Sequence, residues 1–74
     1  MTSDIIMFFK QALTADDTSR VRGALMDAGR SVLVHQKEDQ SRVFLIKFDP
    51  EELTPATLLD AARATGLNPV IAGG

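Results

Sequence analysis

Apolar positions recur at two spacings along this chain, and each change of spacing marks a new element. Ile5-Ile6-Met7-Phe8-Phe9 is a short apolar run bounded by Asp4 and Lys10. It predicts a strand over 4–10, apolar on both faces and so central in its sheet. Thr18, Val21, Leu25 and Ala28, joined by Ala24, then form a stripe at helical spacing. Thr14 and Asp17 stand at the capping-box spacing before that stripe, with Asp in the Glu or Gln place. Gly29 follows the helix as its C′ residue. Residues 31–35 and 42–48 are the arms of a hairpin around the polar turn Lys37-Glu38-Asp39-Gln40-Ser41. The second arm, with Val43-Phe44-Leu45-Ile46, is again apolar on both faces.

After an acidic connection, Thr54-Pro55 supplies an N-cap followed by proline at the first helical position. Leu58, Leu59, Ala62 and Thr65 make the inner stripe of this second helix, and Gly66 closes it. Residues 67–72 are a last short strand, which Pro69 places at an edge because proline cannot donate to a ladder. The order β-α-β-β-α-β, with right-handed crossovers, predicts an α+β ferredoxin-like open sandwich. Its antiparallel sheet has the order 4-1-3-2, with both helices on one face. Residues 1–74 are expected to form a single domain.

A period of two also divides each central strand into two faces. With Ile5, Met7, Phe9, Phe44, Ile46 and Phe48 toward the helices, Ile6, Phe8, Val43 and Leu45 point outward. The second strand adds Leu33, or else Val32 and Val34, according to its register. Contiguous large apolar side chains on an uncovered face suggest an interface, for a homodimer packed sheet to sheet or another protein partner.

Composition narrows the chemistry. Eight basic and ten acidic residues give a formal charge of −2, against a nucleic-acid binder relying on bulk positive charge. The absence of cysteine removes thiolate metal sites and cysteine nucleophiles, and a single histidine removes any site needing two imidazoles. Four Phe without Tyr or Trp are a poor platform for stacking bases. The apolar run 5–9 is too short to cross a membrane or to serve as a signal-peptide core, so a cytoplasmic location is expected. No hydroxyl stands beside a histidine placed to activate it. The expectation is a chain that is not an enzyme and needs no cofactor.

Val43-Phe44-Leu45-Ile46-Lys47-Phe48-Asp49-Pro50, Leu53-Thr54-Pro55, Leu58-Leu59, Ala61-Ala62 and Thr65-Gly66-Leu67 resemble the heavy-metal-associated domain. That family includes copper chaperones, mercury carriers and the N-terminal modules of metal-pumping ATPases. The resemblance implies a soft-metal site of the form Gly-Met-x-Cys-x-x-Cys at the mouth of the first helix. Those positions fall on Gln11, Ala12, Leu13, Thr14, Ala15, Asp16 and Asp17, so Thr14 and Asp17 stand where both thiolates would be. Leu67 occupies the place of the aromatic that shields the metal. Two hard oxygens make a poor site for copper(I), and the resemblance therefore implies a module without its metal.

Other groups remain open at this level. Thr14 and Asp17 are read first as a helix cap and a carboxylate at the positive helix end. A weak metal carrier using Asp16, Asp17 and Met or His donors is the alternative. Asp49, Glu51 and Glu52 read as a solvated connection, His35 as a surface residue, and Met7 as core. Val70-Ile71-Ala72-Gly73-Gly74 resembles the tail of the small sulfur-carrier proteins of thiamine synthesis, which suggests a third role through Gly74. A β-grasp carrier, however, needs a hairpin ahead of its first helix.

Overall fold

The computed structural model describes residues 2–36 and 42–72. Its elements are β1 (Ser3–Phe8), α1 (Ala15–Ala28), β2 (Leu33–His35), β3 (Val43–Phe48), α2 (Pro55–Arg63) and β4 (Val70–Ala72). The polar turn at 37–41 and the terminal Gly73-Gly74 lie outside the described residues. The sheet order is β2-β3-β1-β4 with every pair antiparallel, the expected order read from its other edge. The two strands that are apolar on both faces are indeed the central ones. A helix follows β1 directly, so this is the ferredoxin-like arrangement and not the β-grasp of the sulfur carriers.

The strands are shorter than the apolar pattern predicts. β1 stops at Phe8, although the Phe9 N–H still donates to the Arg42 carbonyl at 2.9 Å. β2 begins at Leu33 rather than at residue 31, because Ser31 is engaged elsewhere, as described below. Pro69 sits just ahead of β4 with its ring buried, outside the ladder. β4 still pairs only with β1 and is the edge strand that the proline requires.

Alternation on the central strands builds the core. Ile5, Met7, Phe44, Ile46 and Phe48 are buried against Val21 and Leu25 of α1 and Leu58 and Ala62 of α2. Each such large side chain removed from water contributes about 1.5–3 kcal/mol. Phe9 and Phe44 meet as a tilted ring pair with centroids 5.5 Å apart. Val32 is buried and Val34 partly so, which sets the register of the second strand and turns Leu33 outward.

The two helices begin as their sequences dictate and end differently. Thr54 caps α2 through a hydrogen bond from the Thr57 N–H at 3.3 Å, with Pro55 next in line. Gly66, with φ of 92°, turns the chain out of α2 in the left-handed region that glycine alone adopts freely. Gly29 corrects the expectation of a left-handed stop, since its backbone is extended. It is glycine because of crowding: a Cβ there would lie 2.5 Å from Glu52 Oε1 and 2.6 Å from Leu53 Cδ2.

Candidate functional site

Three regions carry the side chains that the sequence singles out. The first is the loop 9–14 at the mouth of α1. The Asp17 N–H donates to Thr14 Oγ1 at 3.0 Å, and the Thr14 N–H donates to Asp17 Oδ2 at 3.4 Å. This is a complete capping box, which satisfies backbone donors that the helix start would leave unpaired. Asp17 also lies 3.7 Å from Arg20. The Arg20 guanidinium in turn donates to the Thr65 carbonyl, tying α1 to the turn after α2. Beside the loop is a cleft of about 250 Å³, bordered by Phe9, Lys10, Leu13, Asp17, Leu67 and Asn68.

The second region is the acidic connection. Glu52 is not merely solvated, as its composition suggests. Its carboxylate accepts from the Ser31 hydroxyl at 2.6 Å, from the Ser31 N–H at 3.0 Å and from the Arg30 N–H at 3.2 Å. The Ser31 oxygen accepts in turn from the Asp49 N–H at 2.9 Å. One exposed carboxylate thus joins the turn after α1 to the turn after β3. The Ser31 hydroxyl above all, then the Ser31 and Arg30 N–H groups and the Arg30 charge, hold the Glu52 carboxyl below the usual carboxylate range.

A group whose acidity is raised by folding stabilises the fold while ionised and ceases to do so once protonated. The Glu52 contribution should therefore be complete above the ordinary glutamate pKa, about 4.3, and vanish as pH falls through its lower folded value. Urea midpoints of wild type and Glu52→Gln should differ at pH 7 and converge on acidification. Parallel midpoints across that range would show that the clamp does not depend on charge.

The third region is the sheet face turned away from the helices. Ladder register sorts it into rows. Leu33, Lys47 and Asp4 form one row; His35, Leu45, Ile6 and Ala72 the next; Val43, Phe8 and Val70 the last. Ile6 and Phe8 are each 38% exposed, Leu33 64% and Val70 51%, and Val43 and Leu45 are half-buried among them. Of the five large apolar side chains exposed among the described residues, only Met26 lies elsewhere. Val70 is the member that sequence reasoning missed, because the phase of a three-residue strand cannot be read from alternation alone.

No family model and no curated protein matches the sequence. Solved structures do. A copper-binding domain from HMA7, a P-type ATPase, superimposes with a TM-score of 0.77 at 20% identity, covering 99% of this chain and 96% of that one. Oxidized MerP from Ralstonia metallidurans CH34 superimposes with a TM-score of 0.82 at 15% identity, covering 99% of this chain and 100% of that one. The fold is theirs. That shared fold spans 99% of this chain, the first helix and its loop included.

The residues at the loop do not fit the metal that the resemblance implies. The chain has no cysteine. The two side chains at the thiolate positions are hard oxygen donors already bonded to backbone N–H groups. Among the described residues no three His, Asp or Glu side chains converge on a common point. Asp16 and His35 are both exposed, but on different parts of the molecule, α1 and β2. Among the described residues no helix is long and apolar enough to cross a membrane.

Proposed function

We propose that this chain is a non-catalytic binding module that works by docking another polypeptide on its open sheet face, at Ile6, Phe8, Val43 and Leu45. The observation that carries this reading is the concentration of exposed apolar side chains on the one sheet face that no helix covers. Apolar area on that scale favours a covered state over a wet one. The polar groups support the same reading from the other side. Thr14, Asp17, Ser31 and Glu52 are committed to backbone donors at helix starts and turns, which is work of architecture and not of catalysis. The fold shared with a copper-binding domain suggests a setting near metal handling, for a chain whose own loop lacks thiolates.

Site-directed photocrosslinking in cells tests this reading. A photoreactive phenylalanine analogue in place of Phe8 should give discrete protein adducts, while the same group in place of the exposed Met26 on α1 should not. Adduct formation that is absent at position 8, or equal at the two positions, would remove the open face as a docking surface.

A further inference from the structure

We infer that the occupant of the open face is a second copy of this chain, related by a two-fold axis running along the seam between β1 and β3. This rests on the docking role proposed above and adds the partner and its orientation. The argument is the placement of charge. Asp4 on β1 and Lys47 on β3 are directly opposite in the ladder, one on each side of the seam, at the rim of the apolar rows. Both are exposed. Among the described residues the one ion pair is Arg20–Asp17, so neither side chain is held in an ion pair by another described residue.

A half-turn about an axis parallel to the strands exchanges β1 with β3 and leaves height along the strands unchanged. Asp4 of one copy then lies over Lys47 of the other, and Lys47 over Asp4. Ile6 meets Leu45 and Phe8 meets Val43 in the same operation. Every row faces its like: the apolar side chains of β1 and β3 meet one another, His35 at one end comes over Ala72 at the other, and the charged row faces itself with signs reversed. A half-turn about an axis across the strands reverses the rows instead, and brings the Phe8 row toward the charges. Tilting the seam axis by about 15° from the strands gives the roughly 30° crossing that twisted sheets adopt when stacked.

The size of the face sets the strength. Two strands of six residues and two of three, about 4.8 Å apart and at about 3.3 Å per residue, offer roughly 300 Å² of flat sheet. A standard complex covers about 800 Å² per partner. The pair is therefore weak, assembling between micromolar and millimolar chain. Side-by-side joining is the poorer mode, because both edge strands have only three residues.

Sedimentation equilibrium of the purified chain decides the matter, with circular dichroism confirming that each variant is folded. Wild type should pass from monomer to dimer across that range, and Phe8→Glu should remain monomeric. Asp4→Lys and Lys47→Asp should each associate at least about tenfold more weakly, since like charges then face each other across the axis. An equimolar mixture of those two variants should recover association, because both contacts across the axis become Lys on Asp. A wild type that stays monomeric at millimolar concentration overturns the second copy, while adducts from position 8 in cells would still uphold docking of a different protein. Charge variants that dimerise like wild type, or a mixture no stronger than its components, overturn the seam axis. Should Phe8→Glu fail to fold, the mixture decides alone, because Asp4 and Lys47 lie outside the helix-packed core.

Discussion

Phe44→Ala should leave most of the chain unfolded at 25 °C in the absence of denaturant. Phe44 is fully buried on a central strand, and its ring packs on Phe9 and points at both helices. Truncating a buried phenylalanine costs about 3–5 kcal/mol, partly as lost transfer energy and partly as the cavity left behind. A core of this size rarely supplies more than about 3–5 kcal/mol in all, so one substitution consumes the margin. The chain lacks Trp and Tyr, which makes far-ultraviolet circular dichroism the natural readout. A urea titration of the variant should show no folded baseline, whereas Leu45→Ala, one residue along on the half-buried face, should keep a cooperative transition. A Phe44→Ala midpoint near that of wild type would mean that the core repacks around the gap.

The second large effect is a gain. Wild type should fail to retain copper(I) against a chromogenic chelator, and Thr14→Cys/Asp17→Cys should retain it. The two side chains already share the first turn of α1, where each reaches the backbone of the other, so sulfurs at these positions fall on one side of the helix mouth. The adjoining cleft leaves the loop open on that side. Thiolates are the soft donors that copper(I) selects, and oxygens are not. The exchange sacrifices the capping box, at about 1 kcal/mol, which the domain can absorb. Retention by the double variant would show that the loop keeps a metal-ready shape and lacks only its donors. Release of copper by both proteins would show that the loop itself has changed, and tight binding by wild type would show that oxygen donors suffice here.

What could be read from the sequence was local. The apolar runs over 5–9 and 43–46 gave the strands, and their division into two faces followed because neighbouring residues on a strand must point in opposite directions. Thr14 with Asp17, and Thr54 with Pro55, marked the helix starts because capping is settled within four residues. The failures all involve partners distant along the chain. Gly29 looked like a helix stop of the usual hand, and is instead an extended residue pressed against Glu52 and Leu53. Glu52 looked solvated because nothing near it in sequence hints at the N–H groups of Arg30 and Ser31. The same contact explains why β2 starts late, since Ser31 faces Glu52 and Asp49 instead of joining the ladder. At the loop, the missing thiolates and the Thr14–Asp17 capping box were plain from the sequence, but the Arg20 link to the distant Thr65 carbonyl was not.

The position of β1 has a consequence for how the molecule is made. Of the four described strands this one leaves the ribosome first, yet its two neighbours in the sheet are β3 and β4, the latter made last of the four. At ~5–20 residues per second, its four consecutive apolar residues wait several seconds before Val70–Ala72 arrive to pair with Ile6, Met7 and Phe8. For that interval β1 has an unpaired edge on a nascent chain, the kind of strand that misassembles with its neighbours or engages a chaperone. The three residues of β4 act as a latch that closes last, and a chain cut ahead of Val70 would carry that exposed edge for its whole lifetime.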